Sequence, residues 1–214
     1  MKFFQQATRG FTLLEVLISL LILMIALLGI AALMLKGQRA GFEAYQRQQA
    51  LAMAQEMAEK IRANQGGAPY YVTGVADGDA MPGWGGLFKT YKALSDEAKC
   101  LSVDEKYYKC IDNKQIAENH LATWDGVLAG LSEIKDAATN RVGGIIGARG
   151  CVERPDANQP VFLISVAWQG ESDTGIPTAS ACGAGLYGTD ARRRLVTLTV
   201  VTCQLNAAAP WGCS

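Results

Sequence analysis

From Val16 to Leu35 the chain carries no formal charge. A helix rising about 1.5 Å per residue would nearly cross a hydrocarbon layer about 30 Å thick over those positions. A helix is the expected form, because an open strand in lipid leaves its backbone N–H and C=O groups without partners. Lys2 and Arg9 precede the segment and most of the chain follows it, so the positive-inside bias keeps the short leader in the cytoplasm and exports the rest. The apolar stretch is longer than the core of an ordinary secretory signal, which leaves an uncleaved signal anchor as the simplest alternative.

Cysteine usage agrees with export. All six cysteines, Cys100, Cys110, Cys151, Cys182, Cys203 and Cys213, lie beyond the apolar segment, an even number in a glycine-rich region. That pattern reads as disulfides formed in an oxidising compartment. A metal centre is not expected, since there is no Cys-x-x-Cys pair and His120 is the single histidine. Lys plus Arg equals Asp plus Glu at 20 each, so no bulk field draws the protein to nucleic acid or an anionic surface.

Glu15 is the feature that a plain anchor does not explain. It sits among Phe11, Leu13, Leu14, Val16 and Leu17, where a carboxylate costs several kcal/mol unless it is paired. No basic residue lies nearby in the helix. Hydrolysis of the Gly10–Phe11 bond would supply the missing cation, because it exposes an α-amino group four residues before Glu15, and that amine can belong to a neighbouring subunit.

The run Gly10-Phe11-Thr12-Leu13-Leu14-Glu15-Val16-Leu17 resembles the class III signal of type IV prepilins and pseudopilins. The resemblance implies removal of residues 1–10 by the prepilin peptidase, N-methylation of Phe11 with retention of its charge, and docking of Glu15 into a filament. Four regions follow: a cytoplasmic leader (1–10), a transmembrane and filament-core helix (11–35), its amphipathic continuation (36–65) and a periplasmic domain (66–214).

In the continuation, Ala50, Met53, Ala54, Met57, Ala58 and Ile61 recur at helical spacing, with Gln46, Arg47, Glu56 and Lys60 read as mostly off that stripe. Gly66-Gly67 and Pro69 close the helix, giving an expected rod of roughly 80 Å from Phe11 to about Asn64. Residues 66–112 read as a long ordered loop. Asp112 or Asn113 caps a second helix with Ala117, Leu121, Trp124, Leu128 and Leu131 on one side. Three strands follow, at 144–153, 161–169 and 195–205, joined as an antiparallel meander. The fold class is α+β: a long N-terminal helix on a C-terminal antiparallel sheet, with an extra helix and disulfide-stapled loops.

The helix around Trp124, the strand Val166-Ala167-Trp168-Gln169-Gly170, the Cys182-Gly183 turn and Arg192-Arg193-Arg194-Leu195-Val196 resemble PilV-type minor pilins. Such a resemblance implies a subunit that helps prime the type IV pilus, sits at or near its tip and supports pilus display, twitching motility and attachment. It also implies an inner-membrane location before assembly and the cell surface afterwards. Partners would be other minor pilins, major pilin and a tip adhesin. A type II secretion pseudopilin and a DNA-uptake pilin are the alternatives. Six cysteines allow fifteen connectivities, and the expected pairing is Cys100–Cys110, Cys151–Cys182 and Cys203–Cys213.

Catalytic constellations are missing from the sequence: there is no phosphate-cradling glycine loop with Lys and no His-Glu-x-x-His. Neither an enzyme nor a bound cofactor is expected. Asp77-Gly78-Asp79 reads as a solvated turn rather than a calcium loop. Arg192, Arg193 and Arg194 form the densest basic cluster and are read first as a wet strand start that blocks edge pairing, and second as a contact for DNA phosphates or an acidic partner. Nucleic acid is not expected among the partners.

Overall fold

A computed structural model describes residues 10, 12–75, 81–83, 101–104, 107–109, 112–130 and 145–202, the two segments at 101–104 and 107–109 as backbone. The chain divides into two compact units, Met1–Ala44 and Tyr45–Ser214. Helix α1, Leu13–Ala63, contributes to both.

In the first unit the helix is apolar on every side from Val16 to Leu35. Leu13, Leu17, Leu21, Leu28 and Leu35 are all exposed, each at 57% or more. A helix with no polar face gains nothing by packing one side in water, whereas lipid or neighbouring helices satisfy all of it. By length and composition it can cross a membrane.

In the second unit α1 buries a single stripe, Gln46, Ala50, Ala54, Met57, Ala58 and Ile61. Gln46 corrects the sequence reading. Polarity alone sets it off the stripe, yet it precedes Ala50 by four and is 3% exposed, so helical position overrides side-chain type. Met53 packs partly buried against the same core. After Ala63 the backbone tightens into a 3-10 helix, Gln65–Tyr71, which contains Pro69. Gly67 is required there: a Cβ on it would stand 2.5 Å from the Asn113 carbonyl oxygen and 2.4 Å from the Asn64 side chain.

The remainder of the expected long loop is not wholly irregular. Besides the 3-10 helix it holds a short antiparallel pair, β1 (Leu101–Asp104) and β2 (Tyr107–Lys109). Helix α2, Asn113–Leu128, is capped by Asp112, whose carboxylate accepts from the Gln115 N–H at 2.8 Å. Its apolar side, Ala117, Leu121, Trp124 and Leu128, faces the same core as α1. Leu131 lies outside the described residues. The Trp124 indole N–H donates to the Met53 carbonyl at 3.1 Å, fastening α2 to α1. Gly150 lies beneath that ring, with room for no side chain: a Cβ would meet the indole at 2.4 Å.

The sheet runs β3 (Arg149–Glu153), β4 (Val161–Gln169), β5 (Arg193–Val201), all antiparallel in sequence order. The expected α+β architecture, a long helix and an extra helix with a three-stranded meander, is therefore present. Three strand limits differ from those read off the sequence, one of them the end of β5, which stops at Val201 rather than at 205. Residues 145–148 form a turn rather than the start of β3, and β5 begins at Arg193, two residues before Leu195.

Alternation splits the sheet's side chains between two clusters. Phe162, Ile164 and Val166 of β4 and Val200 of β5 join the helices in the main core. On the opposite face Cys151 and Ala167 meet Met81, Cys182 and Tyr187 in a smaller cluster. Cys182 and Tyr187 come from the excursion 170–192 between β4 and β5, which folds back over that face.

Candidate functional site

Of the processing residues, Gly10 is exposed and non-helical, and Phe11 lies outside the described residues. Thr12 caps α1. Its hydroxyl oxygen accepts from the Glu15 N–H at 3.3 Å, and its carbonyl accepts from the N–H groups of Glu15 at 3.0 Å and Val16 at 3.3 Å. Thr12 and Glu15 thus have the spacing of a capping box, Thr-x-x-Glu, a signal present in the sequence beside the cleavage motif. The local role of Glu15 is to place negative charge in the first turn, where the helix dipole favours it. Glu15 is exposed, and its carboxylate leads an apolar helix with no basic residue between Thr12 and Leu35. It is available to a cation supplied from outside that stretch.

The arginine triplet is placed differently from either reading of it. Arg193 is 3% exposed. Its guanidinium donates to the carbonyls of Pro177 at 2.9 Å, Ser180 at 2.8 Å and Cys182 at 3.1 Å, with the Asp190 carboxylate 3.7 Å away for charge compensation. Arg194 donates to the Ser172 carbonyl at 2.8 Å and the Thr174 hydroxyl at 2.7 Å, while Arg192 pairs with Asp173 at 3.1 Å. Arg192 and Arg194 hold the start of the 170–192 excursion, at 172–174, and Arg193 holds its middle, at 177–182. They do not form one wet basic surface, because the middle one points inward.

The same excursion is tied by the Cys151–Cys182 disulfide, one of the three expected pairs. Cys100, Cys110, Cys203 and Cys213 lie outside the described residues, as does Asp77-Gly78-Asp79. The Tyr187 hydroxyl donates to the Gly147 carbonyl at 2.9 Å, and burial raises its pKa well above the ordinary phenol value, so it stays a donor. The Ser180 hydroxyl donates to Glu153. An arginine clamp, a disulfide and a tyrosine therefore hold one segment against the sheet.

A second polar group joins α1, the 3-10 helix and α2. Asn64 donates to the Asn113 carbonyl at 2.8 Å and to the Tyr71 hydroxyl at 3.3 Å, and His120 Nδ1 lies 2.6 Å from that hydroxyl. Burial pushes Tyr71 up to about 12 against the smaller opposing effect of the Asn64 hydrogen bond. His120 is lowered by burial first and by Lys60 second, with Glu56 acting the other way. No group of three or more His, Cys, Asp or Glu residues with metal-binding geometry occurs among the described residues.

Compared with known families, residues 6–31 match the prokaryotic N-terminal methylation motif. The match spans the Gly10–Phe11 bond, the Thr12 cap, Glu15 and most of the uncharged run. No curated protein and no solved structure matches the chain. The motif, with the apolar helix and the α+β domain, supports a type IV pilin-like protein, a class that includes pseudopilins. It implies processing by the prepilin peptidase and assembly with other pilins, and it points to a structural protein rather than an enzyme family.

Proposed function

We propose that the chain is a PilV-type minor pilin, which helps prime the type IV pilus, occupies its tip region, and supports pilus display, twitching motility and adhesion. The observation that carries the pilin-like part of this reading is Glu15, an exposed carboxylate in the first turn of α1 with no further charge before Lys36, five residues beyond Gly10 and inside a methylation motif; the resemblance of 166–170, 182–183 and 192–196 to PilV-type minor pilins carries the finer part. In this account residues 1–10 are the cleaved leader, 11–35 cross the inner membrane and later join the filament core, 36–65 continue the helix, and 66–214 form the exported domain. After cleavage the amino group of Phe11 on a neighbouring subunit neutralises Glu15, and the contact repeats without closing, which generates a filament. Other minor pilins, the major pilin and a tip adhesin are the proposed partners.

Deleting the gene tests the pilus assignment. Loss of surface pili and twitching with normal release of secreted enzymes supports it, and the reverse pattern makes the protein a type II secretion pseudopilin. Glu15→Gln keeps the shape of the side chain but removes its charge, and should reduce recovery in sheared pili by roughly tenfold or more, as expected for loss of a pair in a low-dielectric contact. Recovery at the wild-type level would exclude the charge pair.

A further inference from the structure

The two edges of the three-stranded sheet are finished differently. The β4–β5 pairing is unbroken from Val161 opposite Val201 to Gln169 opposite Arg193. Just beyond its ends, Thr202 N–H donates to the Pro160 carbonyl and Gly170 N–H to the Arg192 carbonyl. Those two bonds fix the parity. Even-numbered residues of β5 bond to β4, and the N–H and C=O groups of Leu195, Thr197, Thr199 and Val201 face the outer edge.

The same parity across β4 turns Gly150 and Val152 of β3 outward. There the chain covers its own edge. Gly150 N–H donates to the Pro82 carbonyl at 2.8 Å, Val152 N–H to the Thr73 hydroxyl at 2.9 Å, and Thr73 N–H to the Val152 carbonyl at 2.9 Å. No comparable contact meets the four outward residues of β5 among the described residues. The stretch 195–202 also has no charge and no proline, and its pairing to β4 has no bulge. Those are the usual devices by which an exposed edge is made unattractive to another strand.

We propose that the outer edge of β5 receives an extended, uncharged segment of a neighbouring pilin-like subunit, which adds a fourth strand to this sheet. Main-chain hydrogen bonds to the four outward residues give affinity, and the absence of charge along 195–202 selects an uncharged strand. Thr197, Thr199 and Val201, the last 65% exposed, lie on the face away from the helices and favour β-branched or hydroxyl-bearing neighbours opposite them. The proposal rests on the assembly reading above and names the part of the domain through which that assembly is specific.

Amide hydrogen exchange on the full-length processed protein tests it, with the detergent-solubilised subunit compared against sheared pili. The amides of Leu195, Thr197, Thr199 and Val201 should exchange quickly in the subunit and slow by roughly tenfold or more in pili, while those of Val196, Leu198 and Val200 are protected in both. Protection already present in the subunit, which would mean that the chain's own residues seal the edge, overturns the proposal, and so does fast exchange in pili. Thr199→Pro and Thr199→Lys should each leave the β4–β5 ladder folded, because the Thr199 N–H is not part of it. Each should lower recovery in pili, and normal recovery of both overturns strand addition. Absence of the wild-type protein from pili would instead overturn the minor-pilin reading and the strand partner with it, whereas presence with an unprotected edge removes only the strand partner.

Discussion

His120 on α2 and Tyr71 on the 3-10 helix share a hydrogen bond of 2.6 Å between Nδ1 and the phenol oxygen. The Tyr71 hydroxyl also accepts from Asn64 and lies 3.2 Å from the Lys60 carbonyl. The imidazole tautomer sets the direction of the shorter bond: Nδ1–H donates to the phenol oxygen, and bare Nδ1 takes the phenol proton instead. One fully buried phenol thus links the end of α1 to α2. Tyr71→Phe leaves the Lys60 carbonyl, the Asn64 amide and His120 short of a partner and should cost about 1–3 kcal/mol, read from urea unfolding.

Acid should weaken this junction. The folded-state pKa of His120 lies below the ordinary histidine value of 6.5, with burial as the main cause and Lys60 as the second. Below pH 6.5 the unfolded chain therefore binds a proton that the folded protein resists. The His120 contribution is constant above that pH, falls as pH drops through 6.5 towards the lower folded value, and levels off beneath it. Melting temperatures at pH 7.5 and pH 5 should show the drop, and His120→Gln should make it smaller.

Removal of the Arg193 guanidinium should be far more damaging than removal of its neighbour's. Arg193→Met leaves three carbonyls without their donor and should cost about 2–3 kcal/mol. The Arg192–Asp173 pair is at least half exposed on both sides, so Arg192→Ala should cost less than about 1 kcal/mol. Thermal unfolding of the two variants gives the comparison. Equal losses would remove the clamp described for Arg193.

Legibility in the sequence followed how local each signal was. The uncharged run, the Asp112 cap and the Val- and Ile-rich run of β4 between turn-prone segments each act within one element, and the limits of β4 match those expected from the sequence. Gln46 was misplaced because its burial is decided by which stripe of α1 meets the core, and side-chain polarity carried more weight than position. The arginine triplet was misread for a related reason. Adjacent residues on a strand point to opposite faces, and whether either face is wet depends on the 170–192 excursion, which is brought there by contacts distant in sequence. Thr12 as the cap of α1 was legible from Thr-x-x-Glu but was overshadowed by the cleavage motif it overlaps.

The Cys151–Cys182 bridge closes a loop with a sequence separation of 31. Chain-entropy reasoning assigns a closure of that length about 3–4 kcal/mol. Replacing both cysteines by Ala should lower stability by about that amount. Met81, Ala167 and Tyr187 should then gain exposure as the excursion loosens, which amide exchange or limited proteolysis within 170–192 would report.

In the proposed assembly the Gly10–Phe11 bond is cut so that Glu15 can meet an ammonium group at a neighbouring chain's terminus. Mass spectrometry of the protein isolated from its cells tests this most directly. The expected N-terminal peptide begins at Phe11 and carries one added N-methyl group, a mass gain of one CH2. Peptides that run intact from Met1 through Gly10 into Phe11 in the assembled protein would contradict it.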